Sequence, residues 1–230
     1  MIRKISIILP AYNEEQGVVE TITSIPRQLL IQKGYKVEII VVDNNSSDNT
    51  AGVARKHGAR VISEPKQGYG YAYKAGISSS NGEIIVAADA DGTYPLETLP
   101  SLLALVDRHK LDFITTNRFG MTGQSPSVSR INIVGNKLLN AAVRLLFRIP
   151  LADSQSGMWI VRRSALEHAR LTATGMAFSE EIKIELLYYQ RIWWREIAIE
   201  YRQRVGESKL HPMRDGIGNL MFLVKKRIRR

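Results

Sequence analysis

The chain of 230 residues is long enough for one large domain with a substantial core, and its 44% hydrophobic and 23% charged content is that of an ordinary globular protein. It contains no cysteine, which excludes disulfides, thiolate metal sites and a catalytic thiol and fits a cytosolic setting. The net charge of +10 is unevenly placed: residues 1–117 hold 12 Lys+Arg against 13 Asp+Glu, whereas residues 118–230 hold 20 against 9. The basic half suggests an anionic partner (membrane surface, phosphate-rich substrate or nucleic acid), with a solvated basic face as the other explanation. No basic-then-apolar leader opens the chain. No apolar run approaches the ~18 residues needed to span a bilayer, so the expectation is a protein in solution or bound to a membrane surface.

The first half alternates short apolar runs with helical segments, the pattern of an α/β fold around a parallel sheet. Ile5–Leu9 predicts the first strand and Glu14–Ile25 a helix; Val37–Val42 predicts the second strand, followed by a helix over Asn49–His57 that Asp48 can cap. Arg60–Ile62, Glu83–Ala88 and Asp112–Thr115 complete the strands of this half. Tyr71–Ser79 and Leu96–Arg108 are the helices between them, the latter approached through Pro95. Right-handed crossovers place all the strand carboxyl ends on one edge. Pro10–Glu15, Asp43–Asp48, Lys66–Gly70, Asp89–Asp91 and Asn117–Arg118 therefore converge. Residues 119–129 read as a link or lid; Ile131–Phe147 predicts a long helix, Met158–Val161 a strand, Ser179–Tyr189 a helix and Arg195–Tyr201 a strand.

The stretch Ile84-Ile85-Val86-Ala87-Ala88-Asp89-Ala90-Asp91-Gly92 carries the most chemistry. Its apolar run fits a strand buried on both faces. At its carboxyl end, where open α/β sheets bind ligands, Asp89 and Asp91 point to the same side. Two hard oxygen donors there suit Mg²⁺ or Mn²⁺, which takes one or two carboxylates plus the phosphates of a substrate. Asp43, ending the second strand, can accept bonds from a ribose hydroxyl or a base N–H, although Asp, Asn and Ser also favour turns. Gly68-Tyr69-Gly70 imitates a dinucleotide fingerprint but has Tyr73 where the third glycine belongs, and there is no P-loop motif.

In order, Pro10-Ala11-Tyr12-Asn13-Glu14-Glu15, Val42-Asp43-Asn44 and Asp89-Ala90-Asp91 resemble the nucleotide-sugar half of a family 2 glycosyltransferase of the GT-A fold. Asp153-Ser154-Gln155-Ser156-Gly157 and Arg202-x-x-x-Gly206-Glu207-Ser208-Lys209-Leu210 resemble the polyprenyl (dolichyl) phosphate mannose and glucose synthases within that family. The resemblance implies a single catalytic domain over 1–230, built on a Rossmann-like, mostly parallel sheet flanked by helices. Residues 1–118 would bind the nucleotide sugar, and 119–230 would form an acceptor-side, membrane-facing helical half. It implies that Pro10, Tyr12 and Glu14 line the nucleoside pocket, that Asp43 contacts base or ribose, and that Ala90 approaches the ribose. Asp89 and Asp91 would hold the metal at the diphosphate, while Arg118, Arg202 and Lys209, supported by Ser208 and with Arg130 as a further candidate, would bind the donor diphosphate or acceptor phosphate. Two departures leave the third metal ligand and base selection open: Thr93 stands where many mannose synthases carry Gln, and Asn44 where other members carry a second Asp.

A phosphate-monoester acceptor needs no general base, whereas a hydroxyl acceptor does. Glu180 and Glu181 sit about where hydroxyl-transferring relatives place such a base; the alternative readings are that they pair with nearby cations or orient the acceptor pocket, and paired glutamates on a helix are usually a solvated face. On a helix over 131–147, Arg130, Lys137, Arg144 and Arg148 form one ridge, and apolar residues cover the rest. That suits an interfacial helix equally with one packed on the sheet. The basic-apolar tail from Phe222 to Arg230 adds attraction to an anionic membrane. The expectation is therefore a peripheral protein at the cytoplasmic membrane face. Members of the group often continue there into transmembrane helices, and this chain stops short; an integral-membrane partner is a separate expectation. Nucleic acid is the remote alternative, since no reading motif accompanies the charge.

Overall fold

A computed structural model describes residues 3–120, 130–206 and 212–229, with backbone alone at 130–132 and 212. Its strands are β1 (Arg3–Ala11), β2 (Tyr35–Asp43), β3 (Arg60–Ser63), β4 (Ile84–Ala87), β5 (Phe113–Asn117), β6 (Trp159–Arg162) and β7 (Trp194–Ala198). They form one sheet of seven strands in the order β3-β2-β1-β4-β6-β5-β7. The helices are α1 (Gly17–Ser24), α2 (Arg27–Gln32), α3 (Thr50–Lys56), α4 (Tyr69–Ser79), α5 (Leu99–Arg108), α6 (Arg130–Phe147), α7 (Arg163–Leu166), α8 (Phe178–Ile184) and α9 (Pro212–Ile228). The central strands alternate between two cores: Ile5, Ile7, Leu9, Ile84 and Val86 face one layer, and Ile8, Ile40, Ile85 and Ala87 the other. Burial on both faces is why these runs are continuously apolar rather than alternating.

The expected mostly parallel sheet is present, with one reversal: β6 runs antiparallel to both β4 and β5. Its first residue, Trp159, pairs with Ala87 at the end of β4. The segment leading into β6, residues 153–157, is thereby delivered to the edge where the parallel strands end. α3 begins at Thr50 with Asn49 rather than Asp48 at its N-cap, and Asp48, one residue earlier, accepts the Thr50 N–H through Oδ1 at 3.0 Å. The helix expected over Leu96–Arg108 begins as a 3-10 turn at Leu96–Thr98, α2 was not anticipated, and α8 ends in a π-helical turn at Glu185–Tyr189.

The long helix α6 is buried on one face and bare on another. Leu139, Val143 and Phe147 are buried in the second core, whereas Val134, Leu138 and Leu145 are exposed by 59–82%. α6 packs against α9, which also bares Met213, Ile217, Met221 and Ile228. α9 is pinned from beneath by Lys226, whose Nζ lies 2.6 Å from Glu181 Oε1 and 2.8 Å from Glu185 Oε1 and donates to Arg170 O at 3.0 Å. Removing one partner of a buried ion pair strands the other charge away from water. Lys226→Ala is therefore expected to cost about 3–5 kcal/mol, read as a lowered midpoint in urea unfolding.

Candidate active site

At the end of β4, Asp89 and Asp91 enter the wall of a cavity of about 340 Å³. The end of β1 contributes Pro10, Ala11, Tyr12 and Glu14, the end of β2 contributes Asn44, and the start of α4 contributes Gly68 and Tyr69. Gly175 and Met176 from the loop before α8, Arg204, and Asp215 of α9 complete the lining. Asn44 ties two of these walls together, its amide donating to Glu64 O at 3.0 Å and Lys66 O at 2.8 Å while its Oδ1 accepts Gly68 N–H at 2.7 Å.

The two carboxylates are held differently. Asp89 Oδ1 accepts Tyr69 Oη–H at 2.7 Å. Asp91 Oδ1 accepts the Thr93 hydroxyl at 2.6 Å and the Thr93 N–H at 3.1 Å, while Oδ2 accepts Arg204 Nη1–H at 2.6 Å. Arg204 also pairs with Glu14. Enclosure, followed by the like charge of Asp91, raises the Asp89 carboxyl to about 7, against the Tyr69 bond and the nearby Arg118 charge. Enclosure raises Asp91 as well, opposed by its bonds to Thr93.

Beside the carboxylates, the 153–157 loop is fixed by buried charge. Arg118 donates to Asp153 through Nε at 2.7 Å and Nη2 at 2.9 Å, a two-pronged pair. Burial works against the Asp153 carboxylate, yet the Arg118 guanidinium holds it below its ordinary range. Lys183, fully buried on α8, donates to Ser154 O, Ser156 O and Ser179 O at 2.8, 2.7 and 3.0 Å. Burial lowers its ammonium to about 8, with Asp153 opposing. Gly157 then passes so close to Asp89 that a Cβ there would lie 2.8 and 2.9 Å from the carboxylate oxygens.

Of the residues singled out in the sequence, Pro10, Tyr12, Glu14, Asp89, Ala90 and Asp91 are brought together in the lining of this cavity. Asp43 is not in that lining; its Oδ1 accepts the Ser46 N–H at 3.1 Å, a turn bond, and its neighbour Asn44 faces the cavity instead. Arg118 is engaged with Asp153 beside the lining, and the Arg202 guanidinium pairs with Glu97 at the surface. Arg204, which the sequence reading passed over, takes the cavity position; it stands two residues before Gly206 in the same motif, and that proximity was its only signal. Glu180 and Glu181 do not line the cavity either. Glu181 binds Lys226, Thr172 Oγ1–H and Ala173 N–H, while Glu180 accepts from Gln155. Ser208 and Lys209 lie outside the described residues, as does the Arg130 side chain.

Among the described residues, no group of three or more His, Cys, Asp or Glu side chains is arranged to hold a metal ion. The donor set at Asp89 and Asp91 is instead that of a hard divalent cation completed by oxygens of a ligand. Two carboxylates crowded into one enclosed wall, with the Asp89 carboxyl raised to about 7, are a pair that a cation stabilises. On this basis Mg²⁺ or Mn²⁺ fits.

The fold is that of a GT-A glycosyltransferase, and comparison with known proteins agrees. Residues 6–170 match the model of the family described as "Glycosyl transferase family 2". The chain is 33% identical over 222 residues to the dolichyl-phosphate hexose transferase of Haloferax volcanii, covering 96% of this chain and 92% of that one. It is 32% identical over 223 residues to the low-salt glycan biosynthesis hexosyltransferase Agl6 of the same organism, covering 96% of this chain and 53% of that longer protein. In structure it matches glucosyl-3-phosphoglycerate synthase from Mycobacterium tuberculosis, solved with Mn²⁺, UDP-glucose and phosphoglyceric acid, with a TM-score of 0.75 at 22% identity over 98% of this chain and 79% of that one. The chain belongs to glycosyl transferase family 2 and is a glycosyltransferase.

Glu180 provides a pH test of the buried half of the site. Burial raises its carboxyl to about 8, against the Gln155 bond. An unfolded glutamate loses its proton at about 4.3, so between these values the folded state keeps a proton that the unfolded chain gives up, and stability falls steadily from about 4.3 until it levels off above about 8. Glu180→Gln, always neutral, should match the wild type in thermal unfolding at about pH 4 and exceed it by a margin that grows up to about pH 8.

Proposed function

We propose that this enzyme transfers a hexose from a nucleotide sugar of the GDP-mannose or UDP-glucose type to a polyprenyl (dolichyl) phosphate, inverting the anomeric carbon with the help of Mg²⁺ or Mn²⁺. The observation that carries the reading is the convergence of Asp89, Asp91 and Arg204 in one wall of a cavity closed by Pro10, Tyr12 and Glu14. The kinship with a dolichyl-phosphate hexose transferase supports the acceptor, and the UDP-glucose complex of the structural neighbour supports the donor class.

In the reaction an acceptor phosphate oxygen forms a bond to the anomeric carbon while the bond from that carbon to the nucleoside diphosphate breaks. Bound by Asp89 and Asp91, a divalent ion would neutralise charge developing on the departing diphosphate. Arg204 supplies a second positive group to the same wall, and Arg118, fixed by Asp153, adds its field from beside it. A phosphate acceptor is already anionic near neutral pH and needs no proton removed. That agrees with Glu180 and Glu181 lying outside the cavity lining, Glu180 accepting from Gln155 and Glu181 paired with Lys226.

The bared apolar residues of α6 and α9, with Lys137, Lys225, Arg227 and Arg229 on the same helices, support peripheral attachment to an anionic membrane at its cytoplasmic face. Among the described residues no helix is long and apolar enough to cross a membrane. An integral-membrane partner holding the enzyme there belongs to the same reading. The test is transfer of radiolabelled hexose from UDP-glucose or GDP-mannose to polyprenyl phosphate in detergent. A chelator-sensitive lipid product is expected from one donor, and Asp91→Asn should reduce it on the order of 10²–10³-fold, the scale of losing one charge-stabilising group. Label appearing only on hydroxyl acceptors would overturn the assignment.

A further inference from the structure

A second cavity, about 640 Å³, lies between α9 and the loop that precedes α8. Its cations are Arg170, Lys225, Lys226 and Arg229. The acidic groups facing this cluster are Glu181 and Glu185, both bound to Lys226, so four cations stand against two carboxylates. The Arg170, Lys225 and Arg229 side chains are exposed and have no acidic partner among the described residues. The cavity thus keeps a positive surplus in a concave wall, where charge acts more strongly than on an open surface. Gly175 lines both this cavity and the one holding Asp89 and Asp91, but neither of those carboxylates lines the second cavity.

The position on α9 identifies the kind of anion. At about 100° per residue, Ile217, Met221, Val224 and Ile228 fall on one stripe, and Lys225 and Arg229 border it about 40–80° around from Met221. Phe222 and Lys226 continue round into the cavity. The stripe is exposed at 44–76%. A ligand with a phosphate in the cavity and hydrocarbon beside it would satisfy both surfaces at once. We propose that this cavity binds the phosphodiester headgroup of an anionic membrane phospholipid, distinct from the acceptor, with its acyl chains against the α9 stripe. The phosphate chemistry stands on the cavity alone; its membrane source rests on the membrane reading above.

The experiment titrates wild type with dihexanoyl phosphatidylglycerol below its micelle concentration and, separately, with inorganic phosphate. It repeats both with Arg170→Gln/Lys225→Gln/Arg229→Gln and with a charge-matched control, Lys33→Gln/Lys36→Gln/Lys56→Gln, all at exposed positions. The soluble lipid should saturate wild type and control alike and bind the cavity variant about tenfold or more weakly, through loss of charge-assisted bonds. Nucleotide-sugar binding should be unchanged in all three, reporting an intact fold. Equal lipid binding by the cavity variant, or an equal loss in the control, overturns the site. Inorganic phosphate binding wild type as tightly as the lipid overturns the lipid assignment. Flotation on phosphatidylglycerol against phosphatidylcholine vesicles tests the membrane separately. Wild type that captures the soluble lipid but ignores both vesicles sinks the membrane reading and leaves the cavity site supported.

Discussion

Asp89 and Asp91 are like charges set one residue apart at the end of a strand whose four residues are all buried. Repulsion and lost hydration both oppose keeping the pair ionised, which is why the Asp89 carboxyl is raised to about 7. Much of the surrounding structure offsets that cost: Tyr69 and Thr93 donate hydrogen bonds, Arg204 meets Asp91 directly, and Arg118 at the end of β5 and Lys183 on α8 lend positive charge to Asp89. A site that stabilises two carboxylates in this way is also one that welcomes a divalent cation and the phosphates it carries.

The second half of the chain serves that site through the reversed strand. Because β6 runs against its neighbours, its approach segment 153–157 reaches the same edge as the carboxylates. Lys183 ties down the carbonyls of that segment and Asp153 aims Arg118, so α8 acts on the carboxylates without touching them. Glu181 and Glu185 extend the same logic outward by fixing Lys226 and hence α9. Asp215 places α9 in the wall of the first cavity, and its bared stripe faces away from the protein. One helix thereby links the reacting site to the surface read here as membrane-facing.

Much of this was legible because it is local. Continuous apolar runs marked the strands, and the abrupt Asp-Ala-Asp ending marked the site, since both depend only on neighbours in sequence. What escaped depends on pairing at a distance. Arg202 and Arg204 lie in the same motif, and the choice between them is made by Arg202 N–H bonding to Thr93 O at 2.9 Å and Val205 N–H to Asp91 O at 3.0 Å. That pairing sets Arg204 on Asp91. Glu180 and Glu181 resembled a solvated face, but Lys183, Gln155 and Lys226 make theirs the interior. The helical character of α9 was masked by Gly216 and Gly218, weak helix formers whose cost is met by packing on α6.

The most direct measurement of the central claim is calorimetric titration of the wild-type protein with UDP-glucose and GDP-mannose, in Mn²⁺ and again in excess chelator, alongside Asp89→Asn. The account predicts that one donor binds in Mn²⁺, that chelation weakens binding sharply, and that Asp89→Asn shows the weak binding in both buffers. Donor binding of equal strength with and without the metal, unaffected by Asp89→Asn, would contradict it.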